Sequence, residues 1–223
     1  MRAPSNSGSL YCNYKKTFSI ILLAACDAEY RFILTDIDGY GSINDSGTLR
    51  ESKFGHKLAT NSLNIPRREE IPECTNNIEF PYFFVGDAVF PLSEHIIRSY
   101  PGILLSEEKD NFNKRLSRAR RLIKNTFGVL AARWHILYQT IVTNVELVEL
   151  ITRTCVCLHN WLMHSRSYCP TSFVDGENED NGQWRQEVPQ PLQSIRLRAG
   201  NARHNLYYLR DELARYLNEE AKI

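Results

Sequence analysis

The stretch FSIILLAACDAEYRFILTDIDG, residues 18–39, decides what kind of chain this is. Lys15 and Lys16 precede an apolar run that ends in Leu-Ala-Ala-Cys, which has the outline of a short lipoprotein-type signal segment. The apolar part spans only Phe18 to Ala25, lies behind a long polar stretch, and passes into DAEYRFILTDID with no processing-like linker. Two strands account for it better. Residues 18–26 form a continuous apolar run, expected of a strand covered on both faces. From Phe32 the residues alternate up to Asp38-Gly39, which predicts a second strand hairpin-paired to the first.

Working outward, Asn44 and Asp45 are candidate helix N-caps, and Thr48 with Glu51 has capping-box spacing, predicting a helix to about Ala59. Residues 60–79 read as loop. EFPYFFVGDAVF (79–90) predicts a third strand ending at Gly86-Asp87, with a short helix and loop over 91–106. From about Glu107, Leu116, Ala119, Ile123, Phe127 and Leu130 recur at three- and four-residue steps and give one helix an apolar face. LYQTIVT (137–143) reads as a short strand, and 145–164 as a mostly apolar, buried helix. The acid-, proline- and glutamine-containing residues 169–200 read as a flexible linker, and 201–223 as an amphipathic helix carrying Leu206, Leu209, Leu213 and Leu217. That helix could meet a partner or pack on its own domain. Strands before helices, with an acid ending a central strand, predict an α/β domain over 1–168, with ligands at the sheet edge.

Composition agrees with a globular protein: 43% of the 223 residues are hydrophobic, 24% are charged, and the net charge is +1. The charge is uneven. Lys114, Arg115, Arg118, Arg120, Arg121 and Lys124 crowd one stretch without an acid, whereas Asp175, Glu177, Glu179 and Asp180 crowd another. The six cysteines follow no small-scaffold disulfide spacing and read as reduced and intracellular. Cys155, Cys157 and His159 form a compact set without the knuckle of a zinc site and read as core. No segment approaches the roughly 20 apolar residues of a membrane span. There is no glycine-rich phosphate loop and no G-x-S-x-G elbow. Asp87 is the sharpest candidate: a carboxylate after an apolar strand is a natural Mg²⁺ ligand, although local sequence alone favours a helix N-cap or turn residue. Asp27, Asp36, Asp38 and Asp45 are the other acids near the strands, and Asp45 either caps a helix or lies close to a metal.

Six stretches carry a family resemblance: residues 2–32, DGYGSINDSGTLRES, PYFFVGDAVFPL, FNKRLSRARRLIKNTFGVLAARW, CVCLHNWL and RDELARYLN. In order and spacing the chain resembles the DDE-superfamily nuclease domain of PIF/Harbinger-type transposases and their domesticated relatives. The resemblance implies an RNase H-like mixed sheet with flanking helices. It also implies DNA phosphodiester cleavage by two divalent metals, Mg²⁺ or Mn²⁺, held by three acids. The second acid matches Asp87, which would then be both catalytic residue and metal ligand. The first belongs to an Asp-Gly-x-His motif expected before residue 2, so the first strand and its acid are expected to be missing. The third, a glutamate in R-A-R-x-x-x-E-N-x-F-G, is here Lys124. An ammonium there repels the metals that a carboxylate would bind, so little or no cleavage is expected. A non-catalytic DNA- or protein-binding module is the alternative, with Arg115, Arg118 and Arg121 as phosphate contacts. The resemblance further implies DNA, a Myb/SANT-like DNA-binding protein and further copies of the chain as partners, and the nucleus as location, or the cytoplasm until a partner carries the chain in.

Overall fold

The computed structural model describes residues 1–13, 15–42, 49–71, 79–165, 167–176, 179–188 and 204–219. Among them the chain is a mixed α/β protein of short sheets and longer helices. It divides into two compact units, one from Met1–Ser52 with Arg121–Ile195, the other from Lys53–Arg120 with Arg196–Ile223.

The first unit contains the expected hairpin. Strand β1 (Ile20–Cys26) pairs antiparallel with β2 (Phe32–Tyr40), Leu23 opposite Asp36. The loop between them is closed by Asp27, whose carboxylate accepts the backbone N–H of Glu29 and of Arg31 and the Arg31 side-chain Nε–H. Burial pushes that carboxyl up, but the Arg31 bonds outweigh burial and leave it below the ordinary range. β1 is half-buried along its whole length instead of covered on both faces.

Helix α3 of this unit, Val145–Leu162, fixes where β2 begins. (The helices are α1 Lys53–Ala59, α2 Glu107–Arg133, α3, α4 Trp184–Glu187 and α5 His204–Glu219.) The Asn160 amide grips the Phe32 backbone on both sides, accepting its N–H and donating to its C=O, each at 2.8 Å. His159 is fully buried, with Nε2 2.8 Å from the Tyr30 carbonyl and Nδ1 3.2 Å from the Tyr168 hydroxyl. A carbonyl only accepts, so Nε2 carries the proton and Nδ1 accepts from Tyr168. The same hydroxyl accepts the Trp134 indole N–H. Burial pushes the Tyr168 phenol up to about 12, so it stays protonated and able to donate. The Cys155-x-Cys157-x-His159 set is thus split. Cys155 and His159 face the core with Phe32, Leu130 and Val156, and Cys157 is exposed. Where a mostly apolar, buried helix was expected, α3 shows Leu147, Leu150 and Trp161 to solvent.

The second half of α2 and the stretch after α3 also belong to this unit. Residues 169–188 were expected to be a flexible linker, yet they bury Phe173, Trp184 and Val188 against Val129, Ala131 and Ala132 of α2. Only 189–200 of that stretch lies outside the described residues, apart from Glu177 and Asn178. The clasp is polar as well. Asn125 Oδ1 accepts the Asp175 N–H and the Trp184 indole N–H, both at 3.0 Å. The buried Asp175 carboxylate takes the Arg185 guanidinium at 2.6 and 2.7 Å and the Gly182 N–H at 2.9 Å. Gly128 is required here, because a Cβ on it would overlap the Trp184 indole.

In the second unit the expected third strand is broken. Glu79–Phe80 pairs antiparallel with Glu69–Glu70 (β4 and β3), and Phe84–Val85 pairs in parallel with Ile96–Ile97 (β5 and β6). Pro81 lacks the N–H a ladder needs and separates the two pieces. The described strands therefore form three two-stranded sheets rather than one mixed sheet. Where a short helix was expected, Ile96 and Ile97 form β6, and the strand expected at 137–143 is replaced by a 3-10 turn at His135–Tyr138. The Asn44, Asp45 and Thr48 capping candidates lie outside the described residues; residues 49–51 are helical where their helix was expected, and α1 follows from Lys53. Phe80, Leu92, Ile97 and Tyr100 pack with Phe112 and Leu116 of α2 and with Leu213 and Ala214 of α5. The C-terminal amphipathic helix thus lays its apolar face on its own unit, and the Arg210 guanidinium lies 3.9 Å from the centre of the Tyr100 ring.

Removing the Asp175 carboxylate strands Arg185 and the Gly182 N–H. Asp175→Ala is expected to cost about 2–3 kcal/mol in urea denaturation, below the 3–5 of a fully buried pair because Arg185 is partly solvated. Burial lowers the His159 pKa from 6.5. The folded state then binds fewer protons than the unfolded state, and stability falls as pH drops from 6.5 towards the lowered value. Urea midpoints between pH 7.5 and 5 should fall in the parent, and that fall should be smaller in His159→Gln.

Candidate functional site

Asp87 follows β5 and the Gly86 turn, where Gly86 N–H still bonds the Ile97 carbonyl at 2.8 Å and holds the strand end in place. Its carboxylate is partly exposed but occupied. Oδ1 accepts the Ala88 N–H at 2.6 Å and the Arg120 guanidinium at 2.6 Å. Arg120 is only a quarter exposed, so the pair is better shielded than an open surface bridge. The strand-end acid therefore already has a counter-charge from α2 and a backbone donor.

The other residues singled out from the sequence lie as follows. Arg115 and Arg118 sit on the same half of α2 as Arg120, in the second unit. Arg121 and Lys124 lie in the first unit. Arg121 donates to the Gly176 carbonyl at 2.5 Å and lies 4.0 Å from Asp180, so it helps hold the 173–188 clasp. Lys124 is exposed, one helical turn beyond Arg120 on the same face of α2. Arg133, at the end of α2, is committed too: it donates to the Tyr168 carbonyl at 2.7 and 3.0 Å and lies over the Phe173 ring. Asp27 is bound up in the hairpin loop. Among the described residues no three His, Cys, Asp or Glu side chains converge as a metal-ion site. The donor set around Asp87 is one carboxylate facing a cation, which does not fit a two-metal centre.

Sequence reasoning missed Arg120 as the partner of Asp87, because the two are far apart along the chain and the arginine looked like one of a run. It also missed Asn125 and Gly128, whose signal was present: a helix-borne Asn and a Gly three residues on, opposite a distant tryptophan.

A family model for DDE superfamily endonucleases matches residues 1–160, most of the chain. The chain belongs to the DDE superfamily endonucleases. It is also 30% identical over 158 residues to "Protein ALP1-like" of Arabidopsis thaliana, covering 70% of this chain and 38% of that protein. The chain thus spans well under half the length of that relative. No solved structure matches it significantly. The matched range ends within α3, so it includes the hairpin, the Asp87 turn, α2 and the His159-Asn160 clamp. No helix among the described residues is long and apolar enough to cross a membrane.

The Asp87–Arg120 pair is partly open to water. Arg120→Ala is expected to cost no more than about 1 kcal/mol in urea denaturation, well below Asp175→Ala measured in the same way.

Proposed function

We propose that the chain is an RNase H-like DDE domain, derived from a Harbinger-type transposase, that engages DNA but cleaves it weakly or not at all. One observation carries this reading. The acid that the family chemistry needs after a strand, Asp87, is held by Arg120, and the position that needs a glutamate holds exposed Lys124. Asp87 is the proposed catalytic and metal-binding residue, Mg²⁺ or Mn²⁺ the proposed ion, and Lys124 the lost position. The Arg120 guanidinium raises the cost of placing a divalent cation at that carboxylate.

DNA is the proposed substrate class, with Arg115, Arg118 and Arg121 as phosphate contacts. Such contacts give affinity without sequence readout. A Myb/SANT-like partner, self-association and a nuclear location follow from the same family reading. The second reading is a binding module with no catalysis, favoured by the occupied state of Asp87. The proposed nuclease-type domain covers 1–168.

Supercoiled-plasmid nicking in Mg²⁺ or Mn²⁺, together with DNA binding across a salt series, tests both. Nicking is expected to stay at the level of the Asp87→Ala variant. Arg115→Ala and Arg118→Ala should each lower the salt slope by about 1. Arg121 is left out of that series because it also braces Gly176. Metal-dependent nicking that Asp87→Ala abolishes would overturn the loss of catalysis. Binding that does not vary with salt would overturn the phosphate contacts.

A further inference from the structure

Ile103 and Leu104 are 99% and 100% exposed, the extreme among the large apolar side chains described. The loop that carries them is anchored on both sides. Pro101 has a fixed φ, Gly102 takes a φ of 111° that other residues rarely adopt, and Leu105 packs against the core of the second unit. Two adjacent aliphatic side chains are thus held out in water as a preformed tip. The same unit has a groove of about 350 Å³ that the nuclease reading does not use. Phe83, Val85, Leu116, Ala119, Leu213 and Leu217 line it, with Arg115 and Arg118 beside them. The volume is at the small end of ligand sites, roughly room for one or two large side chains.

We propose that the Ile103–Leu104 tip of one copy seats in this groove of a second copy. Tip and lining share one chemistry, so both lose apolar surface to water when they meet, and the guanidiniums of Arg115 and Arg118 take no part. The groove's capacity suits the two side chains that the tip presents. The tip does not fill the groove of its own copy, since both side chains stand in water, and Leu105 beside it is held at the core. A second copy brings the same tip without that restraint, already in the shape that binding needs. Tip and groove are different patches of one surface, so the contact is head-to-tail: it leaves a tip free at one end and a groove at the other, and grows with concentration unless a ring closes. A two-residue tip makes a weak contact, with a Kd on the order of 0.1 mM. This specifies a surface for the self-association proposed above and rests on that part of the reading alone. Nicking and DNA binding are measured separately, so the two can fail independently.

The test is sedimentation velocity of the full chain between about 10 and about 500 µM. The average sedimentation coefficient of the parent should rise across that range. Ile103→Ser combined with Leu104→Ser removes the tip at two fully exposed positions, where the core is not disturbed. Ala119→Trp fills the groove from an exposed position on α2. Circular dichroism checks that each variant is folded, and the tip variant decides alone if Ala119→Trp is not. Each variant should weaken association about tenfold or more. An equal mixture of the two should recover dimers and stop there, because the tip variant supplies the groove and the groove variant supplies the tip. A parent that stays monomeric throughout overturns the proposal. So does association that survives in either folded variant, which places the contact elsewhere. A mixture that recovers no dimer points to a contact between like faces and overturns it as well.

Discussion

Asn125 is an amide buried to within 1% on the inner side of α2, and a buried amide has to find partners for its oxygen and nitrogen or destabilise the fold. Its partners come from far along the chain: the Asp175 backbone and the Trp184 indole. Satisfying them brings residues 173–188 back onto the helix. Once there, Trp184 covers Gly128, Asp175 collects Arg185 and the Gly182 N–H, and Arg121 reaches the Gly176 carbonyl. Each of these contacts presupposes the register that Asn125 sets. The apolar burial of Phe173, Trp184 and Val188 provides the driving force, and the amide selects one arrangement from those that burial alone would allow.

How legible this was depended on whether the signal was periodic. The hairpin and α2 were readable because alternation over 32–38 and three-and-four spacing over 116–130 repeat a local geometry. Residues 169–188 carry their anchors singly, among prolines, acids and glutamines, and single anchors leave no period to detect. The third strand failed for a different reason. Its apolar run is continuous in composition but not in hydrogen bonding, because Pro81 cannot donate to the ladder. At the site, Asp87 was legible from its place after a strand. Its ion pair with Arg120 was not, because pairing across the chain is set by packing and not by neighbours in sequence.

The basic run on α2 also means something different in three dimensions. Read along the chain, it is a block of like charge suited to a polyanion. In the fold its members have separate tasks. Arg120 neutralises Asp87, Arg121 braces the clasp, and Arg115 and Arg118 edge an apolar groove. A count of arginines therefore overstates the charge free of structural tasks, and part of the run's apparent electrostatic function is structural.

The same division applies to the motif by which the family is recognised. Asn125 and Gly128 secure the 173–188 clasp, and His159 with Asn160 locks the start of β2 onto α3. These residues keep their physical work whatever stands at position 124, so a match through them follows from a shared fold and not from a shared reaction. On the proposed reading, chemistry turns on charge at two places. At 124 the side chain is cationic, and at 87 the carboxylate is bonded to a guanidinium. Exchanging Lys124 alone would leave Asp87 paired with Arg120, since that bond is made by another side chain. A divalent ion at Asp87 would compete with a guanidinium held at 2.6 Å. The strand-end acid therefore carries a guanidinium whatever stands at position 124.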